Sequence, residues 1–158
     1  MGKAATLRSQ SGTLIILNGI PVYWRSVRQC VTSDSTAEAE IYAAFEAVKA
    51  GQQYQWRAEE IGAVQPGPFQ LELDNKQAVS FANGTCMNSK LGGVFDRRDS
   101  RVRELRDAGV VKVKWIPRQD NLSDVLTHCM ASGPFNAMVR RINSKVPFSH
   151  DHTSQGGV

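Results

Sequence analysis

The first strong structural signal in this chain is an Asn-Gly dipeptide between two apolar segments. Asn18-Gly19 separates the segment TLIIL from the segment IPVYWR. A type I′ turn requires positive φ at both of its central residues, and Asn-Gly tolerates this conformation at low cost. The sequence therefore predicts an antiparallel β-hairpin over about residues 12–25.

A long helix is predicted after the hairpin. Ser35 and Glu38 form a capping box, in which a hydroxyl and a carboxylate satisfy free amides at the start of a helix. Apolar residues then recur at helical spacing, and we expect the helix to continue past Gly51 to about Ile61. The predicted buried face consists of Ala37, Ile41, Ala44 and Val48.

The rest of the chain alternates strands and helices. FQLEL reads as a short strand, and VVKVKWI alternates as a strand with one buried face does. Helices are predicted over residues 75–82, 94–108, 122–130 and 135–142. With the last two helices counted as one pair, the order β-β-α-β-α-α-β-α indicates an α/β domain of packed layers. We assign residues 12–143 to this domain, residues 1–11 to an N-terminal extension and residues 144–158 to a tail expected to be disordered.

The composition excludes several classes of protein. A chain of 158 residues with 41 % hydrophobic residues can bury one core of ordinary size. It contains no apolar stretch near the roughly 18 residues of a membrane span, and its first ten residues lack the pattern of a signal peptide. Three cysteines without CxxC spacing favour neither a disulfide framework nor a zinc site. We therefore expect a cytoplasmic or nuclear protein without a membrane partner.

Positive charge is concentrated between residues 90 and 118. This segment has nine basic and four acidic residues, whereas the whole chain has a net charge of +4. Such a segment is a candidate phosphate-facing surface. The simpler alternative is a solvated helix with ion pairs such as Arg101 with Glu104 or Arg103 with Asp107, and charge alone favours this alternative.

Three carboxylates lie in three separately predicted elements. Glu40 is in the long helix, Asp74 ends the FQLEL strand, and Asp124 lies in DNLSDVLTH. Hard cations such as Mg²⁺ take oxygen ligands, and phosphodiester chemistry uses two of them about 3.5–4 Å apart. The wide spacing fits a site closed by tertiary structure, although each residue alone also fits a surface acid or a cap. His128 could approach this site, but a cation at a helix C-terminus is its commoner role.

Several segments, in this order, resemble the ribonuclease H domain of copia-type LTR retrotransposon polyproteins. They are SQSGTLIILNGIPVYWRS, STAEAEIYAA, LELDNKQAV, FDRRDSRVRE, VKVKWIPRQDNLSDVLTH and GPFNAMVRRI. The resemblance extends from about residue 8 to residue 142. It implies a ribonuclease H-like fold, in which helices flank a mixed β-sheet.

The same resemblance implies endonucleolytic cleavage of RNA in RNA–DNA hybrids by a two-metal mechanism. Glu40, Asp74 and Asp124 match the family's catalytic metal ligands for Mg²⁺, with Mn²⁺ as an alternative. The implied partners are an RNA–DNA hybrid and an upstream reverse transcriptase domain. The residues expected to contact nucleic-acid backbones are Ser35, Arg98, Arg101 and Arg103.

The main departure from the family concerns its first strand, which carries a fourth carboxylate. Residues 1–11 contain no Asp or Glu, so this chain has no counterpart of that strand. The strand lies in the family between the hairpin and the strand that ends at Asp74. Three outcomes follow: the two neighbours pair directly, residues 3–8 fill the gap, or a strand from another chain fills it.

Loss of this strand has consequences for stability and for activity. Unpaired strand edges predict a marginally stable, aggregation-prone monomer or a dimer formed by strand exchange. Loss of one carboxylate leaves bound cations short of anionic ligands, which predicts weak or absent cleavage by this chain alone. The alternative function is a catalytically inactive remnant that binds nucleic acid or a protein partner.

Overall fold

The computed structural model describes residues 8–30, 36–63, 67–85 and 96–144, except for the side chains of residues 96–100 and 144. The elements in these ranges follow the predicted order of strands and helices. The strands are β1 (Gln10–Leu17), β2 (Ile20–Arg28), β3 (Phe69–Leu73) and β4 (Val111–Trp115). The helices are α1 (Thr36–Glu60), α2 (Lys76–Ala82), α3 (Asp96–Asp107) and α4 (Ser132–Ser144), with two short 3-10 helices (Arg118–Asp120 and Leu122–Leu126) between β4 and α4.

The predicted hairpin is present. Asn18 and Gly19 have φ values of 51° and 83°, as a type I′ turn requires. β1 begins at Gln10, two residues before the predicted start of the domain. Pairing extends one residue further, because the N–H of Gln29 donates to the carbonyl of Ser9 at 2.8 Å.

The strands form two separate sheets, which corrects the prediction of one mixed sheet for the described part of the chain. β1 and β2 form an antiparallel pair, and β3 and β4 form a parallel pair. α1 packs against both β1 and β3, although the two strands belong to different sheets. The first of the three predicted outcomes, direct pairing of the hairpin with β3, therefore does not occur.

The core lies between α1 and the parallel sheet. In β3 and β4, Leu71, Leu73, Val111 and Val113 face this core, whereas the intervening residues are exposed. The predicted buried face of α1 is confirmed, since all four of its residues are buried. Ser35, the predicted cap of α1, lies outside the described residues. The core cluster also includes Ala78, Ala82, Val102 and Leu105 of α2 and α3.

The predicted helix over residues 122–130 is corrected to a 3-10 helix of five residues, Leu122–Leu126. The N–H of Thr127 donates to the carbonyl of Asp124, three residues earlier, and this tighter bond ends the helix. α4 begins at Ser132, earlier than predicted. Apart from Ser144, the predicted tail lies outside the described residues. None of the helices in the described ranges is long and apolar enough to cross a membrane.

Candidate functional site

Three carboxylates share one electrostatic environment in the fold. Burial, together with the negative charges of Asp74 and Asp124, raises the pKa of Glu40 from 4.5 to about 7. The guanidinium of Arg118 opposes this change and lowers the same pKa. Like charges raise the pKa of a carboxyl group more strongly the closer they lie, and screening by salt weakens distant pairs. The fold therefore brings together three residues that lie far apart in the sequence.

Each carboxylate is placed by a different element. Glu40 lies near the start of α1, and Asp124 lies in the second 3-10 helix. Asp74 follows the last residue of β3, and its carbonyl accepts a hydrogen bond of 3.0 Å from Nε1 of Trp115. Since Trp115 also pairs with Leu73 in the parallel sheet, the position of Asp74 is fixed by the end of both strands.

Asn121 connects two parts of the site. Its side-chain nitrogen donates to Oδ2 of Asp74 at 3.1 Å. Its side-chain oxygen accepts from the N–H of Ser123 at 3.1 Å and from the Ser123 hydroxyl at 2.7 Å. One amide thus caps the second 3-10 helix and holds Asp74. The sequence signal for this role was the Asp-Asn pair at 120–121 before a short helix, which our sequence reasoning did not use.

Asp124 is held by polar neighbours and has only 14 % of its side chain exposed. Its Oδ1 accepts a hydrogen bond from the Thr127 hydroxyl at 3.0 Å. Nε of Arg118 lies 3.7 Å from Oδ2, and Nδ1 of His128 lies 3.6 Å from Oδ1. His128 therefore does reach the site, as its spacing of four residues from Asp124 allowed.

The carboxylates suit a hard cation by chemistry but not by spacing. Oxygen donors are what Mg²⁺ and Mn²⁺ prefer. Within the described ranges, however, no group of three or more His, Cys, Asp or Glu side chains is placed to hold a metal ion. The raised pKa of Glu40 is compatible with this finding. A charge several ångströms away still shifts a pKa, whereas a ligand oxygen must lie about 2.1 Å from a Mg²⁺ ion. The described residues therefore do not form a metal site by themselves.

The hairpin packs tightly against the second 3-10 helix. A Cβ at Gly12 would lie 2.6 Å from the carbonyl oxygen of Ser123 and 2.9 Å from Cγ2 of Thr127. The hydroxyl of Ser26 donates to the carbonyl of Leu126 at 2.6 Å. Only glycine permits this approach of β1, so the position of the helix that carries Asp124 depends on the hairpin.

The basic residues of α3 have different surroundings. Arg101 is exposed and forms the predicted ion pair with Glu104 at 3.4 Å. Nε of Arg103 donates to the carbonyl of Phe81 at 2.9 Å, and its guanidinium lies 4.6 Å from the centre of the Phe81 ring. Arg103 thus satisfies a carbonyl at the end of α2. The side chain of Arg98 lies outside the described residues.

The chain is similar to Gag-Pol polyproteins of yeast Ty1 transposons. Those of Transposon Ty1-NL2 and Transposon Ty1-DR6 from Saccharomyces cerevisiae (strain ATCC 204508 / S288c) are each 24 % identical to it over 140 residues. The matched region makes up 89 % of this chain but only 8 % of each polyprotein. No family model and no solved structure matches the chain. The similarity indicates that this chain originates from a retrotransposon polyprotein.

Proposed function

We propose that this chain is the ribonuclease H-like part of a copia-type retroelement and that it acts in endonucleolytic cleavage of RNA in RNA–DNA hybrids. The observation that carries the proposal is the arrangement of the site: Asn121 bonds to Asp74 and caps the helix that carries Asp124, and burial together with the charges of Asp74 and Asp124 raises the pKa of Glu40 to about 7. These are the three carboxylates that match the family's catalytic positions. The similarity to retrotransposon polyproteins supports the same origin.

The site is suited to hydrolysis but is incomplete in this chain. A carboxyl group with a pKa of about 7, such as that of Glu40, can hold or release a proton near neutral pH. Mg²⁺, or alternatively Mn²⁺, is the cation that the family resemblance implies. The described carboxylates match its donor preference but not its spacing, so we assign no metal-dependent step to this chain alone. Cleavage depends on a further segment that completes the site.

Recognition of the hybrid is proposed to use charge rather than base contacts. Arg101 is the best placed cation of α3, because its side chain is exposed and pairs with Glu104, which is itself on the surface. Exposed ion pairs of this kind are weak, and a phosphate can displace the carboxylate. The partners proposed are an RNA–DNA hybrid and an upstream reverse transcriptase domain, in the cytoplasm or the nucleus.

A cleavage assay tests this function. The chain alone, and the chain extended by whatever its genomic reading frame encodes upstream, are incubated with a labelled RNA–DNA hybrid in Mg²⁺ or Mn²⁺. We expect weak or no cleavage by the chain alone and clear cleavage by the extended protein, which Asp74→Asn abolishes. Strong cleavage by the chain alone, abolished by Asp74→Asn, would show that three carboxylates suffice and that completion is unnecessary.

A binding module without catalysis is the second candidate function. The observation that favours it is the lack, within the described residues, of a group placed to hold a metal ion. The same assay separates the two functions. If the extended protein binds the hybrid in a salt-dependent manner but does not cleave it, the binding function is supported and the cleavage proposal is wrong.

A further inference from the structure

Gln29 is a buried amide that the site described above does not use. It follows Arg28, the last residue of β2, and is only 2 % exposed. Burial of an amide costs about 1–3 kcal/mol unless its hydrogen bonds are made again inside the protein. The bonds that Gln29 makes therefore indicate which parts of the fold it holds together.

Both hydrogens of the Gln29 side-chain amide are used. Its nitrogen donates to the Ser11 hydroxyl at 2.8 Å and to the carbonyl of Ala39 at 2.9 Å. An amide nitrogen carries two hydrogens, so these two acceptors take up its whole donor capacity. Ser11 lies in β1 and Ala39 lies in the first turn of α1. One side chain thus joins the hairpin to the start of the long helix.

The bond to Ala39 acts directly on Glu40. The carbonyl of Ala39 and the N–H of Glu40 belong to one planar peptide group, which ends at the Cα of Glu40. A hydrogen bond to that carbonyl therefore restrains the Cα that carries the carboxylate side chain. A carbonyl oxygen has two lone pairs, so it can accept from Gln29 and from the helix N–H four residues later at the same time. The bond consequently leaves the regular pairing of α1 intact.

The strand that anchors Gln29 also supports another part of the site. Ser11 precedes Gly12, which approaches the second 3-10 helix so closely that a Cβ would lie 2.6 Å from the carbonyl oxygen of Ser123. Ser123 is next to Asp124 in that helix. β1 is thus a common support, because the helix of Asp124 packs against it and Gln29 is bonded to it.

We propose that Gln29 is the positioning residue for Glu40, as Asn121 is for Asp74. Through the carbonyl of Ala39, it sets where the carboxylate of Glu40 lies relative to the other two carboxylates. This role rests on the proposed function, since Glu40 belongs to the site assigned above. Packing alone would be served by a hydrocarbon-like side chain of the same length, which has no amide to bury. What the amide adds is two directed bonds, one of which restrains the peptide group of Glu40.

The test is nuclear magnetic resonance of the full, isotope-labelled chain without metal or nucleic acid. Gln29→Met keeps the length of the side chain and removes both amide bonds. Residual dipolar couplings report the orientation of each backbone N–H in the folded protein. In this variant we expect the coupling of the Glu40 N–H to change clearly more than that of Val48, in the middle of α1. Equal couplings of the Glu40 N–H in variant and parent protein would overturn the proposal.

Ser11→Ala is the matched control. It removes one partner of the same buried amide but leaves the bond to Ala39, and the backbone N–H of Gln29 still donates to Ser9. Both variants should lower the melting temperature, whereas only Gln29→Met should reorient the Glu40 N–H. Equal changes at Glu40 in the two variants would show that Gln29 merely stabilises the hairpin, and would overturn the proposal.

A second variant covers the case in which Gln29→Met does not fold. The amide of Gln29→Asn is one methylene group shorter, so it can reach at most one of the two acceptors. A scalar coupling across the hydrogen bond, between the side-chain nitrogen and the carbonyl carbon of Ala39, shows whether that bond is kept. The Glu40 N–H should reorient only if the bond is lost. Reorientation with the bond kept, or none with the bond lost, contradicts the proposal.

Cleavage by the extended protein provides a further readout. Gln29→Met should lower kcat by roughly ten- to hundred-fold with little change in KM, because misplacement of Glu40 affects the chemical step rather than binding. Ser11→Ala should lower kcat less, and a parent-like kcat in Gln29→Met would overturn the proposal. An extended parent protein that does not cleave would instead contradict the proposed function. The dipolar couplings would then still decide the role of Gln29, since they need no activity.

Discussion

The side-chain amide of Asn121 donates a hydrogen bond of 3.1 Å to Oδ2 of Asp74, 47 positions earlier in the chain. The same amide caps the short helix that carries Asp124. One residue therefore couples the end of the parallel sheet to the element that supplies the third carboxylate.

Replacement of Asn121 by Ala should destabilise the protein more than loss of an ordinary cap. Loss of a cap costs about 1 kcal/mol, and loss of a hydrogen bond to a charged group costs about 2 kcal/mol more. Asn75→Ala is the matched control, because Asn75 caps α2 through the N–H groups of Gln77 and Ala78 without bonding a carboxylate. Urea unfolding measures both variants, and equal losses would show that the bond to Asp74 contributes nothing.

Glu40 should make the metal-free protein less stable as the pH rises. The pKa of Glu40 is about 7 in the folded protein and 4.5 in the unfolded chain. Between pH 4.5 and pH 7, the unfolded chain therefore releases a proton that the folded protein retains. The stability that protonated Glu40 contributes is fully present below pH 4.5. It is lost as the pH approaches 7, and the loss is about 3 kcal/mol at most.

Glu40→Gln should remove this pH dependence and raise stability at pH 8. Chemical unfolding in the presence of a chelator, from pH 4 to pH 8, provides the measurement. Glu59→Gln is the control, since Glu59 is an exposed residue near the other end of α1. If the stability of Glu40→Gln follows the same pH profile as that of the parent protein and this control, the prediction that the three carboxylates are electrostatically coupled is wrong.

Arg101 and Arg103 should have separable effects. Arg101→Ala should weaken hybrid binding and make its salt dependence shallower by roughly one unit, with little change in stability. Arg103→Ala should lower the free energy of unfolding by about 1–2 kcal/mol, because it removes the hydrogen bond and the ring contact with Phe81. Binding titrations at several salt concentrations, together with thermal melts, distinguish the two variants.

Replacing Arg98, Arg101 and Arg103 together should weaken hybrid binding most. Unchanged affinity at low salt would identify α3 as a merely solvated helix.

Gly12→Ala should destabilise the contact between the hairpin and the second 3-10 helix. The added methyl group would meet the carbonyl oxygen of Ser123 at 2.6 Å, and overpacking of this kind costs about 1–3 kcal/mol. Gly133→Ala in α4 is the matched control, because a Cβ there meets nothing within 4 Å. Calorimetry should show a lower melting temperature for Gly12→Ala only, and equal melting temperatures would contradict the close approach of β1.

The order of the elements was predictable because its signals are local. Asn18-Gly19 specifies a turn with two positive φ values, and the spacing of Ile41, Ala44 and Val48 specifies the buried face of one helix. Such patterns act within one or two turns of the chain, where backbone sterics and side-chain periodicity dominate. The 3-10 helix at Leu122–Leu126 was mistaken for an α-helix, since side-chain bonds from Asn121 and Thr127 compete there with regular helical pairing.

The sequence alone identified Glu40, Asp74 and Asp124 as candidate site residues, because the chemical character of a side chain follows from its residue type. Only the tertiary structure decided how close they come, which residues hold them and how the sheets are arranged. Asn121 and Arg118 act on the site through contacts with residues that are distant in sequence or in another element, and no local pattern encodes those contacts. β1 and β3 both pack against α1, yet each pairs with a different strand. Strand pairing is a long-range property, so no local pattern in the sequence decides which strand edges meet.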